Sequence, residues 1–242
     1  MSYLADMHMH SIYSYDGQMR LKQMVERGKK LNLKYMAFTE HLEFNQITIK
    51  QFLNRYQLYK EELEQLQECN PEITLIKAVE ISNPELYLKE LESLNKLDLD
   101  YIIGSNHILP KNNSEKEILN YYKKILTIIK NGGIDTIGHL DYLRRKVDDN
   151  NIDNGIIEEI FKELIKRKIA LEINTSAIRR KGLDSFPSQI KLDLYKKLGG
   201  NIVTIGSDAH RINEIYDSIP LIDSKYDFNK GVFIKRKFIS LN

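Results

Sequence analysis

Six histidines punctuate the chain, and none falls in a stretch with helical periodicity. The first two stand one residue apart in Asp6-Met7-His8-Met9-His10-Ser11, at the end of the first apolar run. Side chains alternate faces along a strand, so Asp6, His8 and His10 are expected on one face, with Met7 and Met9 on the other. Two imidazoles placed this way converge within reach of one ion. The remaining histidines close later apolar runs: His41 in TEH, His107 in GSNH, His139 in GHLD and His210 in GSDAH. Carboxylates join them at corresponding places, Glu80 in KAVEIS, Asp208 in GSDAH and Asp16 in the loop after the first run. Singly, each has an ordinary explanation, since a histidine can cap a loop and Asp208 can cap a helix. Glu80 is harder to explain that way, because a carboxylate closing a buried run needs a cationic or hydrogen-bonding partner. Metal-ligand residue types at the ends of successive runs, with no histidine on a helix, point jointly to a metal centre.

Mixed imidazole and carboxylate donors suit zinc, manganese or iron, and the lack of thiolates excludes zinc-finger or iron–sulfur chemistry. Each ion has about four to six ligand positions, so nine candidate side chains imply about two or three ions. Such clusters activate water at neutral pH, orient a phosphoryl group and neutralise the leaving oxygen, which makes phosphoester hydrolysis the leading reaction class. On chemistry alone, amide hydrolysis in an amidohydrolase-like barrel stays open.

Something must hold these residues on one face. Short apolar runs (SYLADMHM, KYMAFTE, ITLIKAVEI, DYIIGSN, IDTIGH, IALEINT, NIVTIGSD) alternate with longer segments whose apolar residues recur every three or four positions. Pro187 is expected to open one helix, and Gly132-Gly133 and Gly199-Gly200 to follow the ends of two others. The pattern is βα repeated about seven times, an α/β chain with parallel strands and right-handed crossovers. Strand C-terminal ends then share one side, where sites assemble in such folds. Periodicity alone leaves open whether the sheet closes as a barrel or stays doubly wound. No Pro/Gly/Ser-rich linker or repeat interrupts the series, so residues 1–242 are expected to form one domain. A 42% hydrophobic and 29% charged composition excludes wholesale disorder, and no apolar run is long enough to span a bilayer. With no leader-like segment before the first strand, a cytoplasmic protein is expected. Cys69 is the only cysteine and sits in a polar turn, so neither an internal disulfide nor a thiol nucleophile is expected. A net charge of +2, with both signs interleaved along the helices, does not point to nucleic acid.

The ordered series DMHMHS, TEH, AVE, GSNH, GHLD and GSDAH, from residue 6 to 210, resembles the polymerase and histidinol phosphatase (PHP) superfamily. That resemblance implies a distorted (β/α)7 TIM-like barrel around a trinuclear site of divalent ions. It implies further that His8, His10, Glu80 and Asp208 hold one ion, that bridging Glu80 with His107 and His139 holds a second, and that Asp16, His41 and His210 hold a third. Met9 stands where a small polar residue is common, and Asp16 where some members use histidine. Within the superfamily, LEINTSAIRRKGLDSFPS followed by GGNIVTIGSDAH resembles the monofunctional histidinol-phosphate phosphatases, which implies hydrolysis of L-histidinol phosphate to L-histidinol and phosphate. The expected partner is thus a small phosphate ester, with no nucleic-acid or membrane partner. Arg179 and Arg180 follow a strand end inside that segment and are the first choice for a phosphate-binding guanidinium, with Arg145, in the Arg144-Arg145 pair, next. The group that protonates the leaving oxygen stays open among Asp16, His210 and water. Glu43, Phe44, Asp141 and Tyr142 are candidates for recognising imidazole and amine. The rivals are a small PHP nuclease or nucleotidase, a phosphotyrosine phosphatase on the same barrel, and an inactive partner-binding module. A nuclease would need a basic track with stacking aromatics, and the module would have lost ligands.

Overall fold

The computed structural model describes residues 2–149, 154–181 and 183–241, apart from the side chains of residues 154, 180 and 181. Seven strands lie parallel and in sequence order: β1 (Ala5–Met9), β2 (Tyr35–Leu42), β3 (Thr74–Ser82), β4 (Tyr101–Ser105), β5 (Thr136–Ile137), β6 (Ala170–Asn174) and β7 (Ile202–Gly206). Both faces of β1, β4 and β6 are buried, and β4 (YIIGS) accordingly reads as an almost unbroken apolar run. The crossovers carry α1 (Leu21–Lys30), α2 (Ile49–Cys69), α3 (Leu88–Leu94), α4 (Glu115–Asn131), α5 (Asn154–Arg167), α6 (Ser176–Lys181), α7 (Gln189–Lys197) and α8 (Ile219–Lys225). In α4, Ile118, Tyr121, Tyr122, Ile125, Ile128 and Ile129 make the buried stripe, the three- and four-residue spacing of an amphipathic helix. Gly132 ends that helix at φ 72°, a backbone region that glycine enters without strain. Pro187 does not open α7 as expected; Ser188 caps that helix, and Pro187 lies just outside it.

The seven strands curl until β1 meets β7. No ladder joins them among the described residues, but their C-terminal ends are tied by backbone hydrogen bonds. Asp208 N donates to His8 O (2.7 Å) and His10 N to Ala209 O (2.9 Å). This closure at one end only, with a register shift in β1 between Asp6 and Met9, makes the barrel irregular where the first two histidines stand. Asp6 consequently turns away from them. Its carboxylate accepts from Ser207 N (2.9 Å), Ser207 Oγ (2.6 Å) and Tyr216 N (2.8 Å), pinning β1 to the loop after β7.

Two further strands, β8 (Asn229–Ile234) and β9 (Lys237–Ser240), lie outside the expected series. β8 runs parallel to β7, and β9 folds back on it as a hairpin. Its turn is Lys235-Arg236, both at positive φ (49° and 63°), where Asn-Gly is the usual signal. The hairpin lies under the N-terminal ends of the strands. Phe233 stacks on Tyr101 with ring centroids 5.3 Å apart, Tyr3 Oη donates to Gly231 O (3.0 Å), and Arg236 Nε donates to Asp135 (2.5 Å). Among the described residues, no helix is long and apolar enough to cross a membrane.

Candidate metal centre

Glu80 leaves the end of β3 and stands at the centre of the opposite, C-terminal face, 1% exposed. One of its oxygens, Oε1, accepts from Ser105 Oγ (2.6 Å) and lies 2.8 Å from His139 Nε2 and 3.2 Å from His107 Nε2. The other, Oε2, lies 2.9 Å from His41 Nδ1, 3.4 Å from His8 Nε2 and 3.7 Å from His10 Nε2. A carboxylate with imidazoles gathered at each oxygen has the layout of a bridging ligand. Asp208 Oδ1 lies 3.5 Å from His10 Nε2 and 3.6 Å from His210 Nδ1. Asp16 closes the ring, 3.5 Å from His41 Nε2 and 3.2 Å from His210 Nε2. The structure therefore brings together His8, His10, Asp16, His41, Glu80, His107, His139, Asp208 and His210, the whole set selected from the sequence.

His8 Nε2, His10 Nε2, His41 Nδ1, Glu80 Oε2 and Asp16 Oδ1 are buried without a hydrogen-bond partner. Burying so many polar atoms unpaired costs several kcal/mol in all, at about 1–3 each, unless something else satisfies them. Divalent ions would. Among the described residues, four sets offer ligand atoms within 4.8 Å of one another: His8, His10 and Glu80; Glu80, His107 and His139; His10, His41 and His210; and His41, Glu43 and His107. The donor chemistry and the orphaned atoms both fit hard-to-borderline cations.

The protonation states of His10, Glu80 and Asp16 agree with that fit. Burial, and next the neighbouring His41, push His10 well below the usual histidine value, leaving it neutral and able to ligate. Burial opposes ionisation of Glu80, but the surrounding imidazoles, His8 and His107 foremost, hold its carboxyl well below the usual range. Burial likewise opposes ionisation of Asp16, and the adjacent imidazoles of His210 and His41 overcome it, so Asp16 stays a carboxylate.

A second layer of carboxylates aims the ligands. Glu172, in the middle of β6, accepts from His139 N (2.7 Å) and lies 2.5 Å from His8 Nδ1, which turns Nε2 of His8 toward Glu80. Glu40 accepts from Ser11 Oγ (2.6 Å) and Ser14 Oγ (2.7 Å), and Ser14 Oγ lies 3.3 Å from His10 Nδ1. Gly206 leaves room for this packing: a Cβ there would stand 2.4 Å from His8 Cβ and 2.9 Å from Glu172 Oε1. Asp208 is held at φ 53°, in the left-handed region, a strained state for a residue with a side chain. Glu172 and Glu40 went unselected in the sequence, although both are carboxylates inside buried runs, the signal that singled out Glu80.

Above the cluster opens a cavity of about 400 Å³, walled at its rim by Tyr15, Glu43, Leu109, Tyr142 and Arg145. Arg145 stands with its guanidinium 4.8 Å over the Tyr142 ring, which lies 4.6 Å from the ring of His139. Arg179, the first choice from the sequence, is elsewhere. Its guanidinium donates to Ser207 O (3.1 Å) and Asp208 O (3.2 Å), bracing the strained turn from behind, and it does not line the cavity. Helix α6 carries it along the back of that turn. The Arg180 side chain lies outside the described residues. Glu43 and Tyr142 line the cavity, whereas Asp141 is fully buried against Lys191 and Phe44 packs on Tyr87 at 5.3 Å. Tyr15 and Leu109 were missed, because nothing in a sequence marks a loop residue as rim.

Residues 6–176 match the PHP domain family. The probable histidinol-phosphatase of Thermotoga maritima is 30% identical over 216 residues, 88% of this chain and 86% of that protein. That of Clostridium acetobutylicum is 29% identical over 224 residues, 85% and 86% of the two chains. The crystal structure of the histidinol phosphate phosphatase of Lactococcus lactis, complexed with zinc, L-histidinol and phosphate, superposes with a TM-score of 0.81. It covers 98% of this chain and 99% of that one at 23% identity, and so shares the fold. The strand order, the ligand-rich C-terminal face and the family match over most of the chain agree: the protein belongs to the PHP domain family.

Proposed function

We propose that this protein is a metal-dependent phosphomonoester hydrolase whose substrate is L-histidinol phosphate, and that its C-terminal face holds three divalent ions. The observation that carries this reading is the set of buried, unpartnered ligand atoms around Glu80 at the floor of an open cavity. His8, His10, Glu80 and Asp208 would hold one ion, Glu80, His107 and His139 another, and Asp16, His41 and His210 the third. Bound there, the ions supply a nucleophile from water at neutral pH and neutralise charge on the phosphate.

The chain's own groups do the rest. Arg145, on the rim, offers a planar two-donor fork to the phosphate oxygens that face away from the ions. Asp16, held as a carboxylate, acts as a ligand and is no proton donor. Glu43, also on the cavity wall, offers negative charge to the amine and imidazole of the substrate. A cavity of about 400 Å³ accommodates a small ester with its phosphate on the floor and its organic part at the mouth. The names of the relatives in Thermotoga maritima and Clostridium acetobutylicum favour the same substrate.

The test is a phosphate-release screen of zinc-, manganese- or iron-loaded protein against L-histidinol phosphate, nucleotides, short oligonucleotides and a phosphotyrosine peptide. Histidinol phosphate is expected to exceed a generic aryl phosphate in kcat/KM by at least about tenfold, which needs only about 1.4 kcal/mol. Equal or better turnover of nucleotides would move the assignment to a nucleotidase, and no turnover by protein carrying its ions would leave a binding module.

A further inference from the structure

Beside the cavity, but outside it, lies a buried charge cluster that the hydrolytic reading does not use. Asp141 and Asp149 share the ammonium of Lys191, at 3.1 and 2.8 Å, and all three side chains are 10% exposed or less. Asp141 also accepts from Ser188 N (2.9 Å) and lies 3.4 Å from Arg144 NH1, while Asp149 accepts from Tyr122 Oη of α4. Arg144 is fastened in turn to Ser185 O (3.0 Å) and to Asp184. Burying two carboxylates with one lysine is a poor way to gain stability, because desolvation offsets most of the attraction and well-packed hydrocarbon would serve as well. What such a cluster does supply is direction, since each member has one acceptable geometry.

That direction is given to one short turn. Asp141 is followed at once by the 3₁₀ turn Tyr142–Arg145, whose Arg144 N donates to Asp141 O (2.9 Å) and whose Tyr142 N donates to His139 O (2.8 Å). Tyr142 and Arg145 are the two members of that turn that line the cavity, and the Arg145 guanidinium rests on the Tyr142 ring and hydroxyl. Lys191, on α7, thereby fixes Asp141, Asp141 fixes the turn, and the turn aims Arg145. None of Asp141, Asp149 and Lys191 lines the cavity. We infer that the Asp141–Lys191–Asp149 cluster is a positioning device for Arg145, setting the affinity of the cavity for phosphate; the inference rests on the phosphatase reading above.

The experiment is a double-mutant cycle read by titration calorimetry of inorganic phosphate into the zinc-loaded protein, with metal content and thermal stability measured in parallel. Asp141→Asn keeps the shape of the side chain and an acceptor for Ser188 N while removing its charge; Lys191→Met removes the shared cation. Either is expected to weaken phosphate binding by about tenfold where Arg145 is present, and by less than about twofold in an Arg145→Met background, with zinc content unchanged. Should Lys191→Met not fold, Asp141→Asn alone decides. An equal weakening in both backgrounds, or a loss of thermal stability with unaltered phosphate affinity, would overturn the inference. If Arg145→Met itself leaves phosphate affinity unchanged, the arginine assignment falls with it, whereas the hydrolase reading is judged separately by phosphate release.

Discussion

The two ends of the barrel use the same residue types for opposite purposes. At the N-terminal end, Asp135 is buried, yet it is matched: Arg236 Nε lies 2.5 Å away and Ile102 N donates at 2.8 Å. Asp100 there receives Lys235 N at 2.9 Å. At the C-terminal end, Glu80 is buried too but stands among five imidazoles, with ligand atoms of His8, His10 and His41 and its own Oε2 unpartnered. A buried carboxylate whose hydrogen bonds close locally is holding the fold together. One whose neighbourhood leaves donors and acceptors open is waiting for a group that the chain does not encode.

Substitution at each end should separate these roles. Glu80→Gln, which leaves a poor bridge between two sets of imidazoles, is expected to lower kcat/KM by at least about a thousandfold, roughly 4 kcal/mol at 1.36 per decade. Elemental analysis should find ions missing from a protein whose urea midpoint has not fallen. Asp135→Asn should do the reverse. It strips the charge partner from Arg236 and is expected to cost about 2–3 kcal/mol by urea denaturation, somewhat under the usual figure for a broken buried pair because Arg236 is partly exposed. Metal content and kcat/KM of the folded protein should be unchanged. Near-wild-type metal content in Glu80→Gln, or lost ions in Asp135→Asn, would erase the contrast between the two ends.

The fold and the site were legible to different depths. Seven strands could be read because burial on both faces leaves most of them few polar residues, as in Tyr101–Ser105 with Ser105 as its one polar side chain besides the Tyr101 hydroxyl. The hairpin at the floor could not, because Lys235-Arg236 takes a turn that sequence rules reserve for Asn-Gly, and its strands β8 and β9 are partly exposed. The nine ligand candidates were visible because histidine and buried carboxylate are costly choices at a strand end. Glu172 and Glu40 were overlooked for lack of a rule separating a ligand from the residue that orients one. Arg179 misled: it follows β6 as closely as any phosphate ligand would, but its guanidinium is taken up by carbonyls of the Ser207-Asp208 turn, a long-range contact no local pattern reveals.

Smaller effects sharpen the account of that second layer. Glu172→Gln keeps the size of the side chain but weakens its hold on His8 Nδ1, and should reduce metal affinity by about 10–100-fold without abolishing binding. Competition against a chelator would measure it. A change below about threefold, roughly 0.7 kcal/mol, would mean that His8 is oriented by the barrel itself.

Proton linkage gives the mildest prediction. Burial opposes the charged form of His41 and His107, but the neighbouring carboxylates of Asp16 and Glu80 raise His41 to about 10, and those of Glu80 and Glu43 raise His107 to about 9. Without ions both are therefore protonated at neutral pH, and loading must displace protons. In the metal-free protein their contribution to stability is full below the ordinary value of 6.5 and is lost as pH rises through 9 to 10. Metal affinity runs the other way and should strengthen with pH across that window. Calorimetry of zinc binding at neutral pH in buffers of different ionisation enthalpy should register net proton release; heats that do not vary with the buffer would contradict it.

Counting the ions decides whether the face around Glu80 is a metal cluster. Protein purified gently in zinc- or manganese-supplemented buffer, verified as folded by circular dichroism and analysed by elemental mass spectrometry, is predicted to carry three divalent ions per chain, in keeping with the nine ligand side chains gathered around Glu80. A reproducible stoichiometry of one or fewer in folded protein would contradict the cluster, and with it the reading of the C-terminal face as a hydrolytic centre.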